Sequence, residues 1–477
     1  MSFGLLAYGA YIPRHRLQRA ELGAALGTRA GNGARTVAGY DEDTTSMGVE
    51  AARRALERGG CPDSIYFATT APAYFDKTNA TAIHAALDLG HRGFAVDLAG
   101  AARSAVGALR AAATTGGLAV LADIRTGRPG SSDERDSGDA AAAFLFGEGR
   151  GDAEFEPPEG WRGTAPPREP LAVLVGQAAA TAEFLDRWRT PGRAASQAWE
   201  ERFGLESYLP LIRDAARRAL DRAELEQADR VVISSPHARS AAAAAKEFPG
   251  RIETPVPAIG YAGAADLGVK LAAVLDVAEP DETVLLIHAA DGCDAVVLRT
   301  TAALRDGRAA EPVAQQLDGA RDVGYATFLS WRGMIERETP RRPEPDRPAG
   351  PPSARSEAWK FAFVGSRCTE CGRVHVPPTR VCSGCRAVDK MERAPLSKQP
   401  GTVATYTVDK LAYSPSPPMI DVVVDFDGGG RYTLELTDAS PDEVEIGSRV
   451  ETTFRRLYTT GDVHNYFWKV RPARNGF

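Results

Sequence analysis

The sequence predicts a duplicated α/β core, followed by a four-cysteine zinc ribbon and a small β-barrel. Three observations predict it. First, "EAARRALERGGCPDSIYFATTAPA" (Glu50 to Ala73) matches "DAARRALDRAELEQADRVVISSPHA" (Asp214 to Ala238). "SGDAAAAFLF" (Ser137 to Phe146) then matches "DGCDAVVLRT" (Asp291 to Thr300) in the same order. Second, "CTECGRVHVPPTRVCSGC" carries two Cys-x-x-Cys knuckles. Third, "TPRRPEPDRPAGPPSAR", dense in proline and charge, separates the repeats from a region of short β-like runs.

Along the chain, "MSFGLLAYGAYIPRHRL" reads as a first strand and loop, because it lacks a basic stretch before an apolar core and Pro13 interrupts it. In each long repeat a helix with an Ala/Leu face passes through an acidic loop into an apolar, β-branched strand. That strand ends at a Thr/Ser-rich turn before Pro72 or Pro236. "VDLAGAARSAVGAL" reads as a buried strand, a turn at Gly100 to Arg103, and a small-residue helix. The expected domains are two halves at 1–155 and 170–305, with a Pro/Gly/Glu-rich interruption at 154–170 between them. A connecting helical segment at 306–338, an extended linker at 339–357, a zinc ribbon at 358–395 and a barrel at 396–477 follow. Ligands of an open α/β sheet gather beyond the carboxyl ends of its strands. The repeat places Thr70, the Ala102 turn, His237 and the Gly292 loop at such ends.

Cys368, Cys371, Cys382 and Cys385 are the expected ligands of a structural zinc ion, since four thiolates close a tetrahedral shell. His375, between the knuckles, reads as a surface residue. The runs "GTVATYTVDKLAY", "IDVVVDFDGGGRYTLELTD", "VEIGSRVETTFRRLY" and "VHNYFWKVRP", with "DGGG" as a hairpin, suggest a five-stranded OB-fold. Arg455, Arg456, Tyr458, Tyr466, Phe467 and Trp468 would suit a single-stranded nucleic acid. The preferred reading makes the aromatics barrel core and the arginines a solvated face, with no nucleic-acid partner. A net charge of -6 agrees with that. With no apolar run of about 18 residues, no membrane span is expected. Six cysteines, four of them clustered, point to a reducing, cytoplasmic setting.

These residues resemble a known family. Residues 1 to about 305 look like 3-hydroxy-3-methylglutaryl-CoA (HMG-CoA) synthase of the thiolase superfamily, which implies a five-layer α/β core. "FATTAPAYFDKTNATAIHAAL" keeps the frame around that family's catalytic glutamate, with Lys77 and His84 in register, but Thr70 stands at the glutamate. Ala101, Ala102, Arg103, Ser104 and Leu109 fit the nucleophile frame, with Ala102 at the cysteine. His237 in "VVISSPHARS" fits the catalytic histidine. Gly260-Tyr261 matches a Gly-Asn turn, and Ala290-Asp291-Gly292 matches a Gly-Ser-Gly loop. The C-terminal part resembles zinc-ribbon/OB-fold proteins that accompany thiolases and related acyl-CoA enzymes.

The resemblance implies a coenzyme A thioester as substrate, a homodimer, and a thiolase or acyl-CoA pathway partner. Ala102 cannot form a thioester, so covalent acyl transfer at that position is excluded. An aldol or retro-aldol reaction needs no acyl carrier. His237 would transfer the proton, backbone N–H groups at Gly292 and the Ala102 turn would hold the oxygen, and Tyr261 and Asp266 are available polar groups. Two alternatives stand beside this reading. One is a catalytically silent scaffold that binds CoA thioesters or a partner thiolase. The other is a conventional synthase whose nucleophile has moved to Cys293.

Overall fold

The computed structural model describes residues 3–151, 169–248, 250–252, 259–338 and 345–473, with 165 and 167 as isolated positions. The chain forms two compact units. Unit 1 comprises 1–39, 47–84 and 89–332; unit 2 comprises 40–46, 85–88 and 333–477.

Among the described residues, the main sheet of unit 1 has ten strands: β1 (Gly4–Tyr11), β2 (Ser64–Thr69), β3 (Phe94–Ala99), β4 (Gly117–Asp123), β5 (Ala140–Gly147), β6 (Ala172–Ala180), β7 (Arg230–Ser234), β8 (Arg251–Ile252), β9 (Thr283–His288) and β10 (Cys293–Thr300). Their order is β8-β7-β9-β10-β6-β1-β5-β4-β2-β3. Each half therefore repeats one order, third-second-fourth-fifth-first, and the halves meet where Leu5 pairs with Ala172. Directions repeat as well. β2 is parallel to β3 and β4, as β7 is to β8 and β9. The last two strands of each half are antiparallel to their neighbours. The duplication read from two sequence matches is thus a duplication of topology.

Helices complete five layers. α1 (Thr44–Ala55) covers one half and α3 (Glu201–Arg222) the other, while α2 (Ser104–Thr115) and α5 (Asp266–Leu275) pack together between the two halves of the sheet. A side chain at Gly9 would meet the Ala51 carbonyl at 2.8 Å, and one at Gly176 the Ala219 carbonyl at 2.3 Å. Glycine at these related positions lets each outer helix approach its strand. The inner layer is close-packed through small residues, Ala105, Ala108 and Ala112 on α2 and Ala272 on α5, all fully buried. A further helix, α4 (Ala238–Glu247), follows β7. The 306–338 region, expected to be helical, mixes short 3-10 and strand pieces with the helix Tyr325–Trp331.

Unit 2 contains a three-stranded ribbon, β11 (Val364–Cys368), β12 (Val374–His375) and β13 (Met391–Pro395). Five antiparallel strands follow: β14 (Gly401–Asp409), β15 (Met419–Phe426), β16 (Arg431–Glu435), β17 (Arg449–Thr460) and β18 (Val463–Pro472). Their order is β16-β15-β14-β17-β18, and a Leu436–Val470 bridge joins the two edges into a barrel. Trp468, Phe454 and Phe363 fill it.

Two expectations are corrected here. The second part of the expected extended linker is helical, at Gly350–Arg355, with prolines in the first turn where a missing N–H costs nothing. Residues 339–344 of that linker lie outside the described residues, as does most of the interruption at 154–170. Arg455 is not on a solvated face. It is fully buried and paired with Glu42 at 2.8 Å and Asp438 at 2.9 Å, while Lys469, also buried, pairs with Asp41 at 3.0 Å. Buried charges persist only when paired in this way.

Candidate functional site

Each of the parallel strands β2, β3, β4, β7 and β9 carries a residue of interest at or just beyond its carboxyl end: Thr70, the Ala102 turn, Asp123, His237 and His288. Thr70 lies one residue beyond β2. Its hydroxyl donates to both Asp123 carboxylate oxygens at 2.8 Å and accepts from Arg125 Nη1 at 3.0 Å. The Ala264 N–H donates to Asp123 Oδ2 at 2.8 Å. Burial raises the Asp123 pKa, and Arg125 opposes it. Where the resemblance implies a catalytic glutamate, this chain has a threonine that links a buried arginine to a buried aspartate.

Tyr261 is held between the halves. Its N–H donates to the Asp136 carbonyl and its carbonyl accepts from the Gly138 N–H, both at 2.9 Å. The Arg125 guanidinium sits 6.0 Å from its ring centroid. The Tyr261 hydroxyl is buried and has no hydrogen-bond partner among the described residues. Burial first, then Asp266, raises its pKa, so it is a phenol at neutral pH. Asp266, expected as an available polar group, is engaged. It accepts from the Ala262 N–H at 3.2 Å and pairs with Lys270 at 2.8 Å.

Ala102 is half-buried at the turn into α2. His288, at the end of β9, is 1% exposed, and its Nδ1 lies 3.1 Å from Ser234 Oγ. Burial pushes its pKa down to about 4, against Asp266, Asp294 and the Ala102 backbone, which favour the charged form. The imidazole is therefore neutral at pH 7. Asp294 holds Arg103 Nε at 2.7 Å, and Arg103 Nη1 donates to the Asp291 carbonyl at 2.8 Å. A side chain at Gly292 would lie 2.5 Å from Arg103 Nη1, and the residue has φ +127, so glycine is required for this arginine to fit. The predicted oxyanion position at Gly292 thus has a guanidinium against it.

His237 caps α4. Its Nδ1 accepts from the Ser240 N–H at 3.1 Å and lies 2.7 Å from Ser240 Oγ. Gly204 of α3 leaves room for its ring: a side chain there would meet His237 Nε2 at 2.8 Å and Asp186 at 2.9 Å. Tyr208, 6.0 Å from the His237 ring, accepts from the Asp291 N–H at 3.3 Å. Cys293 is fully buried within the core beside α3, and burial pushes its thiol up to about 12. That is the opposite of an activated nucleophile.

One group, Thr70, Asp123, Arg125 and Tyr261, lies beside another, His288, Asp294, Arg103 and the Asp291–Gly292 loop, and Asp266 acts electrostatically on both Tyr261 and His288. His237 joins through Tyr208. The sequence reading missed Asp123, Arg125, His288 and Asp294. Asp123 and His288 carried a signal: each is the polar last residue of an apolar run, "GLAVLAD" and "TVLLIH".

In unit 2 the thiols of Cys368, Cys371, Cys382 and Cys385 all lie within 4.8 Å of one another. Cys368–Cys385 is 3.6 Å and Cys371–Cys382 is 3.5 Å. Zinc–thiolate bonds of about 2.3 Å in a tetrahedron put sulfurs about 3.8 Å apart, so the cluster fits the ion. His375 is not a surface residue: it is 8% exposed on β12.

The comparisons agree with this architecture. The ChsH2 rubredoxin-like zinc ribbon domain model matches residues 361–392, and the ChsH2 C-terminal OB-fold domain model matches residues 394–455. A hydroxymethylglutaryl-CoA synthase of Archaeoglobus fulgidus is 29% identical over 362 residues, 70% of this chain and 99% of that protein. A DUF35 domain-containing scaffold protein of Methanocaldococcus jannaschii is 33% identical over 121 residues, 24% of this chain and 85% of that protein. Among solved structures, MvaS in complex with 3-hydroxy-3-methylglutaryl coenzyme A aligns with a TM-score of 0.57 at 17% identity, covering 83% of this chain and 99% of that one. An HMG-CoA synthase complexed with CoA aligns with a TM-score of 0.57 at 15% identity, covering 69% and 90%. At those identities the structures speak for the fold alone. The chain is an HMG-CoA synthase-like thiolase-fold protein with C-terminal zinc-ribbon and OB-fold domains of the ChsH2 type.

Proposed function

We propose that unit 1 is an acyl-CoA enzyme that makes or breaks a carbon–carbon bond by aldol or retro-aldol chemistry, without a covalent acyl intermediate. The observation that carries the reading is Ala102. The turn that should present a thiol presents a methyl, while the adjacent Arg103 is paired with Asp294 and the buried His288 lies against the Ala102 backbone. Cys293 is buried, and Cys61 lies at the starting end of β2, away from the site.

In the cleavage direction, His237 Nε2 takes the proton of a β-hydroxyl. That role takes the tautomer with its proton on Nδ1, directed at Ser240 Oγ 2.7 Å away, in exchange for the resting cap in which Nδ1 accepts from the Ser240 N–H. The O–H electron pair becomes the new carbonyl, and the Cα–Cβ pair passes into the thioester enolate. The enolate oxygen is held by N–H groups of the Ala102 turn and Gly292, with Arg103 adding charge. The Tyr261 phenol protonates Cα, Arg125 favours the phenolate left behind, and the proton returns from His237. Zinc, when bound by the four cysteines, organises the ribbon and supplies no step of this chemistry. A homodimer through β3 is part of the proposal: β3 is an open sheet edge, with Phe94 55% exposed. The reduced thiol cluster suits a cytoplasmic setting; among the described residues no helix is long and apolar enough to cross a membrane.

A second reading, a silent CoA-thioester or thiolase-binding scaffold, draws on Arg103, which occupies the space at Gly292 and is tied to Asp294 and Asp291. Incubation with β-hydroxyacyl-CoA esters separates the two. Cleavage products abolished by His237→Ala support the enzyme. Tight binding without turnover supports the scaffold.

A further inference from the structure

Arg125 is a buried cation without an anion in contact. It is 7% exposed, and its side chain hydrogen-bonds only hydroxyls among the described residues, Thr70 Oγ at 3.0 Å and Ser196 Oγ at 3.5 Å. Asp123 stands on the far side of the Thr70 hydroxyl. Arg35, Arg230 and Arg455, just as buried, each hold a carboxylate directly.

Two more guanidiniums converge on the same place. A short hairpin, Arg187–Trp188 paired with Gln197–Ala198, carries Arg187, Arg189 and Ser196. Arg189 Nη2 donates to the Thr70 carbonyl, and among the described residues Arg189 makes no ion pair. Arg187 pairs with Asp133 of the short helix Ser132–Asp136, whose Asp136 carbonyl accepts from the Tyr261 N–H. Three buried atoms there have no hydrogen-bond partner among the described residues: Arg125 Nε, Arg187 Nε and the Tyr261 hydroxyl. A guanidinium N–H can only donate, and the phenol is protonated, so the missing partner is an acceptor. An unpaired buried cation and unmet donors are both costly. A carboxylate satisfies both at once, because its two oxygens match the guanidinium fork. Asp123 and Asp133 near Arg125, and Asp291 near Arg187, favour one added negative charge over the two of a phosphate.

We propose that Arg125, Arg187 and Arg189 hold a carboxylate borne by the β-carbon of the CoA ester, beside the Tyr261 hydroxyl. This deepens, and rests on, the acyl-CoA reading of the same site. Tyr261 serves Cα in that reading, so an anion beside it falls on the neighbouring carbon, the one that carries the hydroxyl. In cleavage the hydroxyl proton passes to His237 and the O–H pair becomes the carbonyl. The Cα–Cβ pair passes into the enolate, which takes the Tyr261 proton at Cα. The carboxylate is unchanged and leaves on the carbonyl fragment, so the products are a 2-oxo acid and an acyl-CoA.

The test is calorimetric binding of CoA, butanoyl-, succinyl- and glutaryl-CoA to the full chain, to Arg187→Gln and to Arg187→Lys. None of these ligands has a β-hydroxyl, so none is cleaved. Butanoyl- and succinyl-CoA differ by a methyl or a carboxylate on Cβ, and glutaryl-CoA moves the carboxylate one carbon outward. The wild type should bind succinyl-CoA at least ~10-fold more tightly than the other two esters, the effect of hydrogen bonds to a charged group. Arg187→Gln should remove most of that preference. Arg187→Lys should keep part of it, since the charge remains and the fork does not. Circular dichroism confirms that both variants are folded. Equal affinity for succinyl- and butanoyl-CoA, or a preference intact in Arg187→Gln, would overturn the anion site and leave the acyl-CoA reading standing. Glutaryl-CoA binding as tightly as succinyl-CoA would overturn the placement on Cβ. Failure of CoA and every ester to bind the wild type would overturn the acyl-CoA reading with it.

Discussion

Replacing His288 with glutamine should change how stability depends on pH. His288 is fully buried, and burial pushes its pKa from 6.5 to about 4 despite Asp266, Asp294 and the Ala102 backbone. The unfolded chain therefore binds a proton that the folded chain refuses between those values. Stability from this group is fully present above pH 6.5 and is lost as pH falls through 6.5 toward 4. The whole shift corresponds to about 3 kcal/mol, of which about 2 kcal/mol is gone by pH 5. Glutamine keeps a polar group opposite Ser234 but does not titrate. Urea unfolding of both proteins at pH 7.5 and pH 5, followed by tryptophan fluorescence, reads the difference. At pH 7.5 the wild type should be the more stable by about 1 kcal/mol, through its hydrogen bond to Ser234 Oγ. At pH 5 that order should reverse. An identical pH slope in the two proteins would mean that His288 is solvated or already charged, and the neutral-imidazole account of the site would be wrong.

Three other outcomes follow from the same contacts. Tyr261→Phe removes a buried hydroxyl that has no hydrogen-bond partner among the described residues. It should leave stability unchanged or raise it by about 1 kcal/mol, while lowering turnover of a β-hydroxyacyl-CoA by about 100-fold; equal losses of both would make the hydroxyl structural. Arg455→Ala strips the fully buried cation from Glu42 and Asp438 and should destabilise unit 2 by about 3–5 kcal/mol. Thermal unfolding of the full chain checks this, and a change below about 1 kcal/mol would contradict the pairing. Metal analysis should find one zinc per chain. Cys368→Ser together with Cys385→Ser should abolish it and increase proteolysis within 361–392, whereas an intact ribbon without metal would refute a structural role.

What was legible in the sequence followed from patterns that one physical rule enforces. The Glu50 and Asp214 repeats betrayed the duplication because each half must bury the same helix face against the same strand order. The knuckles betrayed the zinc site because thiolate spacing is dictated by the ion. Five β-like runs after the ribbon became β14 to β18 for the same reason of pleat and alternation. The site was less legible, because its partners are remote in sequence. Asp123 and Thr70 are 53 residues apart, and Arg103 and Asp294 are 191 apart. No local pattern announces such pairs. The apolar strands that deliver Asp123 and His288 looked like core to their last residue. Arg455 misled for a related reason: an arginine in a barrel strand reads as solvent-facing unless its acidic partners, here from Asp41 and Glu42, are known to arrive from 400 residues earlier in the chain.

The central claim is that this HMG-CoA synthase-like site works without an acyl-enzyme. The direct measurement is intact-protein mass after mixing with an acyl-CoA and its 3-hydroxy derivative, alongside product analysis of the same samples. The account predicts no mass increase on the protein, cleavage of the hydroxy ester to a carbonyl compound and a shorter acyl-CoA, and loss of cleavage in His237→Ala. A protein mass increased by one acyl group, retained in His237→Ala and removed by substitution of Cys293, would contradict it.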